Sequence, residues 1–221
     1  MTLDAIELES GPSPEASVIV LHGLGASGDD FVPVCEQLDL ADCGDVRYVL
    51  PHAPERPVTI NGGAVMPAWY DIAALGGTAG EDEAGLRASQ TLVEGLIAGE
   101  VARGVPASRI VLAGFSQGCA MTLLTGLRHR HRLAGLVGLS GYLPLAGHTA
   151  GERSHANAAT PIFLAHGRFD PTIALARAEA SRDALLALGY DVEWHEYPMD
   201  HAVCLPEITD LNAFLRRVLA R

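Results

Sequence analysis

The sequence predicts an α/β fold, a mostly parallel central sheet covered on both faces by helices. Three observations point there. Short, unbroken apolar runs recur at residues 17–21, 110–113, 133–139 and 161–165, which is the mark of strands buried on both faces. Stretches with helical spacing of apolar residues alternate with them, as the layers of a parallel sheet require. The 221 residues, 48% of them apolar, suffice for one sizeable core, and no linker, repeat or low-complexity segment divides them. A single domain over residues 1–221 is therefore expected.

Composition removes several function classes. The net charge of −12 argues against nucleic acid as a partner. All fifteen basic residues are Arg, so lysine chemistry such as a Schiff base or a P-loop is excluded. The four cysteines, at 35, 43, 119 and 204, form no C-x-x-C pair and read as buried free thiols. No stretch approaches 18 uninterrupted apolar residues, and the acidic N-terminus has no leader-like pattern. Cytoplasmic location is the expectation, with no metal or other cofactor and no integral membrane association.

In chain order, residues 3–8 read as an edge strand and 17–21 as a central one. The latter runs into His22-Gly-Leu-Gly-Ala-Ser-Gly28, a glycine-rich loop at a strand's carboxyl end, where open α/β sheets bind ligands. Residues 29–38 follow as a helix and 46–50 as a strand. The prolines at 51, 54 and 57 argue against regular structure there. Trp69 and Tyr70 then sit on a long connection, where Trp69 is either part of a small satellite core or a pocket wall, the second being preferred. Residues 78–82 offer polar caps for a helix over 83–103, whose Leu86, Leu92, Val93, Leu96, Ile97 and Val101 recur at helical spacing. The strand at 110–113 leads through Gly114-Phe-Ser-Gln-Gly118 into a helix ending near residue 127. The cluster Arg128-His-Arg-His-Arg132 reads as a solvated helix end that complements the helix dipole. Residues 146–160 read as a surface loop. A strand at 161–165, a helix at 174–188, a strand at 191–197 and a helix at 206–219 complete the pattern.

The G-x-S-x-G pattern is weak by itself, but strand, tight turn and helix around it make a nucleophile elbow. Glycines on either side let strand and helix pass closely, and Ser116 is lifted at the turn. A serine hydroxyl attacks an acyl carbonyl only when a base takes its proton, a carboxylate orients that base, and N–H donors meet the oxyanion. Ser116, Asp170 and His201 all follow strands, so the topology brings them to one rim. His166, also at a strand end, is the best rival for the base, and Asp200 and Glu196 are the rivals for the carboxylate. The oxyanion donors are expected to be the backbone N–H groups of Gln117 and Leu24, with His22 shaping the loop.

The ordered motifs resemble the small carboxylesterase / acyl-protein thioesterase (phospholipase–carboxylesterase) family of α/β-hydrolases. They are Leu21-His-Gly-Leu-Gly-Ala-Ser-Gly-Asp-Asp-Phe31, Ala68-Trp-Tyr-Asp-Ile72, Gly114-Phe-Ser-Gln-Gly118, Leu139-Ser-Gly-Tyr-Leu-Pro144, His166-Gly-Arg-Phe-Asp170 and Tyr197-Pro-Met-Asp-His201. The resemblance runs from about residue 18 to the C-terminus. It implies a cofactor-free hydrolase of carboxylic esters or thioesters, without a large lid domain, acting as monomer or homodimer. It places the substrate pocket at Gly23, Trp69 and Leu143. Two departures stand near the site: Cys119 where the family usually carries Gly, and Pro-Thr-Ile-Ala after Asp170 where a Val-Pro ending is common.

The leading reading is a serine hydrolase for short- to medium-chain acyl esters or thioesters, working through an acyl-enzyme. A long-chain acyl-protein thioesterase or lysophospholipase uses the same machinery. A non-catalytic binding protein of the same fold is disfavoured, because such proteins typically lose a triad member.

Overall fold

The computed structural model describes residues 3–74 and 80–220, so the cap candidate Thr78 lies outside the described residues. Its centre is a seven-stranded sheet in the order β1-β3-β2-β6-β7-β8-β9. The strands are β1 (Ala5–Glu9), β2 (Ala16–Leu21), β3 (Val46–Pro51), β6 (Ile110–Phe115), β7 (Gly135–Leu139), β8 (Ile162–Gly167) and β9 (Val192–Tyr197). Only β1 pairs antiparallel, at the edge against β3; the remaining neighbours are parallel. The helices are α1 (Val32–Cys35), α2 (Glu83–Ala102), α3 (Gln117–Arg128), α4 (Ala146–Glu152), α5 (Leu175–Ala187) and α6 (Leu205–Val218).

The unbroken apolar strands feed two cores, because alternate side chains leave opposite faces of the sheet. Ile19 and Leu21 pack with Leu86, Val93 and Ile97 of α2, Met121 and Leu124 of α3 and Leu185 of α5. Val18 and Val20 pack on the other face with Cys35 of α1 and Leu211, Phe214 and Leu215 of α6. Asp82 caps α2, accepting from the Gly85 N–H at 2.9 Å. None of the four cysteines is in a disulfide among the described residues; Cys35, Cys43 and Cys119 are buried as expected, whereas Cys204 is only half-buried.

Four expectations change. The proline-rich stretch contains a hairpin, β4 (Glu55–Val58) against β5 (Ala64–Pro67), isolated from the main sheet. A two-stranded ribbon tolerates Pro57 and Pro67 because each strand has a free edge. The stretch at 146–160 holds α4 and a short 3₁₀ turn at His155–Asn157 rather than loop throughout. Its Gly- and Ala-rich composition carries no apolar period. The 29–38 helix is a 3₁₀ turn, Gly28–Phe31, followed by the single turn of α1. The basic cluster after α3 is only partly solvated. Arg128 pairs with Glu152 at 2.6 Å, and the buried His129 meets Glu94 at 2.5 Å.

One buried polar network locks α2 to the sheet. Glu100 accepts from Ser17 Oγ and, at 2.8 Å, from Arg47 Nη1. Removing the carboxylate leaves the buried Arg47 paired with the more exposed Glu9, at 2.8 Å, and strips Ser17 of its acceptor. Glu100→Ala is expected to cost about 1–3 kcal/mol, read as a drop in Tm of about 5 °C. A Tm within a degree or two of wild type would show that the network contributes nothing net.

Candidate active site

The site lies on the rim formed by the carboxyl ends of β2, β6 and β8 and the loop after β9. Ser116 sits between β6 and α3 at φ 56° and ψ −116°, the strained backbone of a sharp elbow. The flanking glycines are sterically required. A Cβ on Gly118 would stand 1.9 Å from the Leu21 carbonyl oxygen, and one on Gly114 2.2 Å from the Gly118 backbone. The turn can therefore be this tight only with glycine at both places.

The structure brings Ser116, Asp170 and His201 together. Ser116 Oγ is 3.0 Å from His201 Nε2, and His201 Nδ1 is 2.6 Å from Asp170 Oδ2. The Asp170 side chain is fully buried, and that of His201 is 18% exposed. Asp170 Oδ1 accepts the backbone N–H groups of Thr172 and Ile173 at 2.8 and 2.9 Å. The carboxylate is thus fixed before the histidine meets it. Gly167 lets the two loops close on each other, since a Cβ there would lie 2.3 Å from the Asp200 carbonyl oxygen. Phe115 supports the imidazole, with ring centroids 4.8 Å apart.

The rival residues have other contacts. His166 is fully buried, with Nε2 2.8 Å from the Ile173 carbonyl and 3.4 Å from Asp170 Oδ2, so it braces the aspartate loop. His195 stacks on Phe163 and pairs with Glu193, on a sheet face rather than the rim. Glu196 binds Arg168 and Trp194. Cys119 is buried, and burial pushes its thiol up to about 12, which removes it as a nucleophile at neutral pH. Its side chain fills the space left by Gly138 and Gly141, where added Cβ atoms would lie 2.7 and 2.3 Å from it.

The glycine loop after β2 is held from below. His22 Nδ1 donates to the Gly23 carbonyl at 2.7 Å, and the Ala53 N–H donates to His22 Nε2 at 2.9 Å. Because a backbone N–H can only donate, His22 is the neutral tautomer with its proton on Nδ1. Burial also holds its pKa below the usual imidazole range. The Gly23 carbonyl and the Leu24 N–H share one trans peptide, so they point in opposite directions. Pinning the carbonyl to His22 therefore orients the Leu24 N–H. The Gln117 side chain adds a second tie, accepting from the Trp69 N–H at 2.9 Å and donating to the Tyr70 carbonyl at 2.7 Å.

The cleft above Ser116 has a volume of about 570 Å³, within the usual range for small-molecule sites. Gly23, Leu24, Ser116, Gln117 and His201 line it. Trp69 and Leu143 do not, which corrects the expected pocket wall. Trp69 is fully buried in the core on the α2 face, where its indole N–H donates to the His22 carbonyl at 2.9 Å. Leu143 is 3% exposed in the same core. An aromatic on a long connection finds a buried acceptor here, and its neighbours Tyr70 and Ile72 line the cleft instead. Glu81, Tyr142 and Arg177 also line it. Tyr142 lay within a matched motif, but nothing local marked Glu81 or Arg177, which are ordinary charges beside and within helices.

Trp69→Phe keeps most of the packing and loses the bond to the His22 carbonyl. It is expected to destabilise by about 1–3 kcal/mol and to lower kcat more than it changes KM. The rank order of acyl-chain lengths should stay as in wild type; an altered order would put Trp69 in contact with substrate.

Fold and site together define an α/β-hydrolase. The chain belongs to the phospholipase/carboxylesterase family, whose profile matches residues 3–219. It is 42% identical over 215 residues to acyl-protein thioesterase 1 of Neurospora crassa, covering 93% of this chain and 88% of that one. To acyl-protein thioesterase 1 of Yarrowia lipolytica it is 40% identical over 216 residues, covering 96% and 95%. Among solved structures, Zea mays acyl-protein thioesterase 2 superposes with a TM-score of 0.85 at 29% identity, covering 98% of this chain and all of that one. Arabidopsis thaliana SOBER1 gives 0.87 at 29% identity, covering 92% and 99%. The protein is an esterase-type hydrolase of carboxylic esters or thioesters. No helix among the described residues is long and apolar enough to cross a membrane.

Proposed function

We propose that the protein is a cytoplasmic serine hydrolase of short- to medium-chain acyl esters or thioesters, with Ser116 as nucleophile, His201 as general base and acid, and Asp170 orienting His201. The observation that carries this reading is the unbroken relay from Ser116 Oγ through His201 to Asp170, opening onto a cleft. Ser116 Oγ attacks the acyl carbon while His201 Nε2 takes its proton. The carbonyl oxygen becomes an oxyanion, met by the N–H groups of Leu24 and Gln117; one such donor is worth roughly 10²–10³ in kcat. The tetrahedral species collapses to an ester on Ser116, and His201 returns the proton to the departing alcohol or thiol. Water then attacks the acyl-enzyme by the same route and releases the acid and free Ser116. All of these groups come from one chain, so a monomer carries a complete site.

The names of the relatives favour a second reading, a thioesterase for acylated proteins, which we take here with long acyl chains. A ladder of p-nitrophenyl esters from acetate to palmitate, with matched acyl thioesters beside it, tests both. Optimal turnover at short to medium chains supports the first reading, and rising turnover toward palmitate, stronger on thioesters, supports the second. No turnover of any ester or thioester by folded protein would refute both.

A further inference from the structure

The two N–H groups proposed to meet the oxyanion belong to different parts of the fold. Leu24 is on the loop after β2, and Gln117 is the first residue of α3. They bond one oxygen only while the gap between them holds, because each donor must stand about 2.7–3.1 Å from it.

The chain leaving β5, residues 67–70, is bonded to both parts. On the loop side the Pro67 carbonyl accepts the Gly25 N–H at 2.9 Å, and the Trp69 indole N–H donates to the His22 carbonyl at 2.9 Å. These two bonds bracket Leu24 in the sequence. On the elbow side Gln117 Oε1 accepts the Trp69 N–H at 2.9 Å, and Gln117 Nε2 donates to the Tyr70 carbonyl at 2.7 Å. The link is held firmly: Trp69, Tyr70 and Gln117 are buried, Ser89 Oγ donates to the Trp69 carbonyl, and the Ala68 N–H donates to the Pro54 carbonyl at 3.0 Å. Starting α3 does not require a buried amide at this position. Burying one is costly unless its oxygen and its nitrogen both find partners, and both bonds of Gln117 go to the single dipeptide Trp69-Tyr70.

We infer that the Gln117 side chain is a positioning residue which, acting through Trp69, sets the gap between the Leu24 N–H and its own backbone N–H. The strength of the oxyanion site then depends on a side chain that never touches the substrate oxygen. This role is separable from that of the donor, because any residue except proline at this position keeps the backbone N–H. It rests on the esterase reading of the Ser116 cleft.

The test is Gln117→Met, which keeps length and volume and loses both bonds. On the best p-nitrophenyl ester kcat should fall by roughly 10–100-fold, with KM little changed, because the oxyanion exists only in the transition state. The second readout is the Ki of an alkyl trifluoromethyl ketone. Ser116 Oγ adds to its carbonyl carbon, His201 takes the hydroxyl proton, and the carbonyl oxygen becomes an alkoxide in the oxyanion site. Its Ki should rise by the same factor as kcat falls. A smaller folded fraction lowers the apparent kcat but leaves Ki where it was. Trp69→Phe breaks the other end of the same link, so the double variant should lose about as much as the worse single one, whereas independent effects would multiply. Gln117→Asn, too short to make both bonds, supplies the same break if Gln117→Met does not fold. A kcat and Ki within about twofold of wild type, a fall in kcat with Ki unmoved, or multiplying losses in the double variant would each overturn the inference and leave the esterase reading standing. No hydrolysis of any ester or thioester by folded wild type would overturn the esterase reading and this inference with it.

Discussion

In Ser116→Ala, kcat on the best p-nitrophenyl ester falls by about 10⁶-fold. The hydroxyl is the only group in the relay that can form the acyl bond. His201 Nε2 meets Ser116 Oγ at 3.0 Å, so deleting the oxygen leaves the base without a proton to take. Residual turnover comes only from oxyanion donors and binding acting on water. Stability should change little, because the strained φ of 56° is imposed by the elbow on Ala as on Ser, and the lost bond involves a partly exposed histidine. Stopped-flow release of p-nitrophenol checks the mechanism as well as the rate: wild type shows a burst of one equivalent when deacylation is slow, and the variant shows none. Activity within tenfold of wild type would remove Ser116 from the nucleophile role.

Much of this site was legible in the sequence because its parts hang on strand ends. Once residues 110–113 and 161–165 read as buried strands, Ser116 and Asp170 had to emerge on one rim, and the chain order left His201 as the residue following the last strand. The glycine loop was legible for a related reason, since closely spaced glycines after a strand mean close backbone approach. Side chains on irregular connections were not legible in this way. Trp69 faces the core rather than the cleft because its indole N–H meets a carbonyl 47 positions away in sequence, a partner that no local pattern announces. The β4–β5 hairpin escaped because prolines usually veto a strand, and that veto fails when both strands are edges. Glu81 and Arg177 come within 3.8 Å of each other although three strands separate them along the chain, and each alone reads as a surface charge.

Asp170→Asn is expected to lower kcat by about 10⁴-fold with the fold retained. The orientation of the new amide is settled by the loop. Asp170 Oδ1 accepts two backbone N–H groups, from Thr172 and Ile173. An amide NH₂ there would face two donors, so the asparagine carbonyl takes that position and its NH₂ turns toward His201 Nδ1. That nitrogen can then only accept. The imidazole proton moves to Nε2, where it points at Ser116 Oγ and blocks proton removal. The same substitution takes away the negative charge that stabilises the imidazolium formed during attack. The packing is isosteric and the Oδ1 bonds survive, so Tm should move little while kcat collapses, and KM should change far less than kcat. An imidazole N–H resonance shifted from the Nδ1 to the Nε2 position in nuclear magnetic resonance would report the tautomer directly. Full activity in Asp170→Asn would mean that another carboxylate orients His201. Asp200, one position before the histidine in sequence, would then be the residue to replace next.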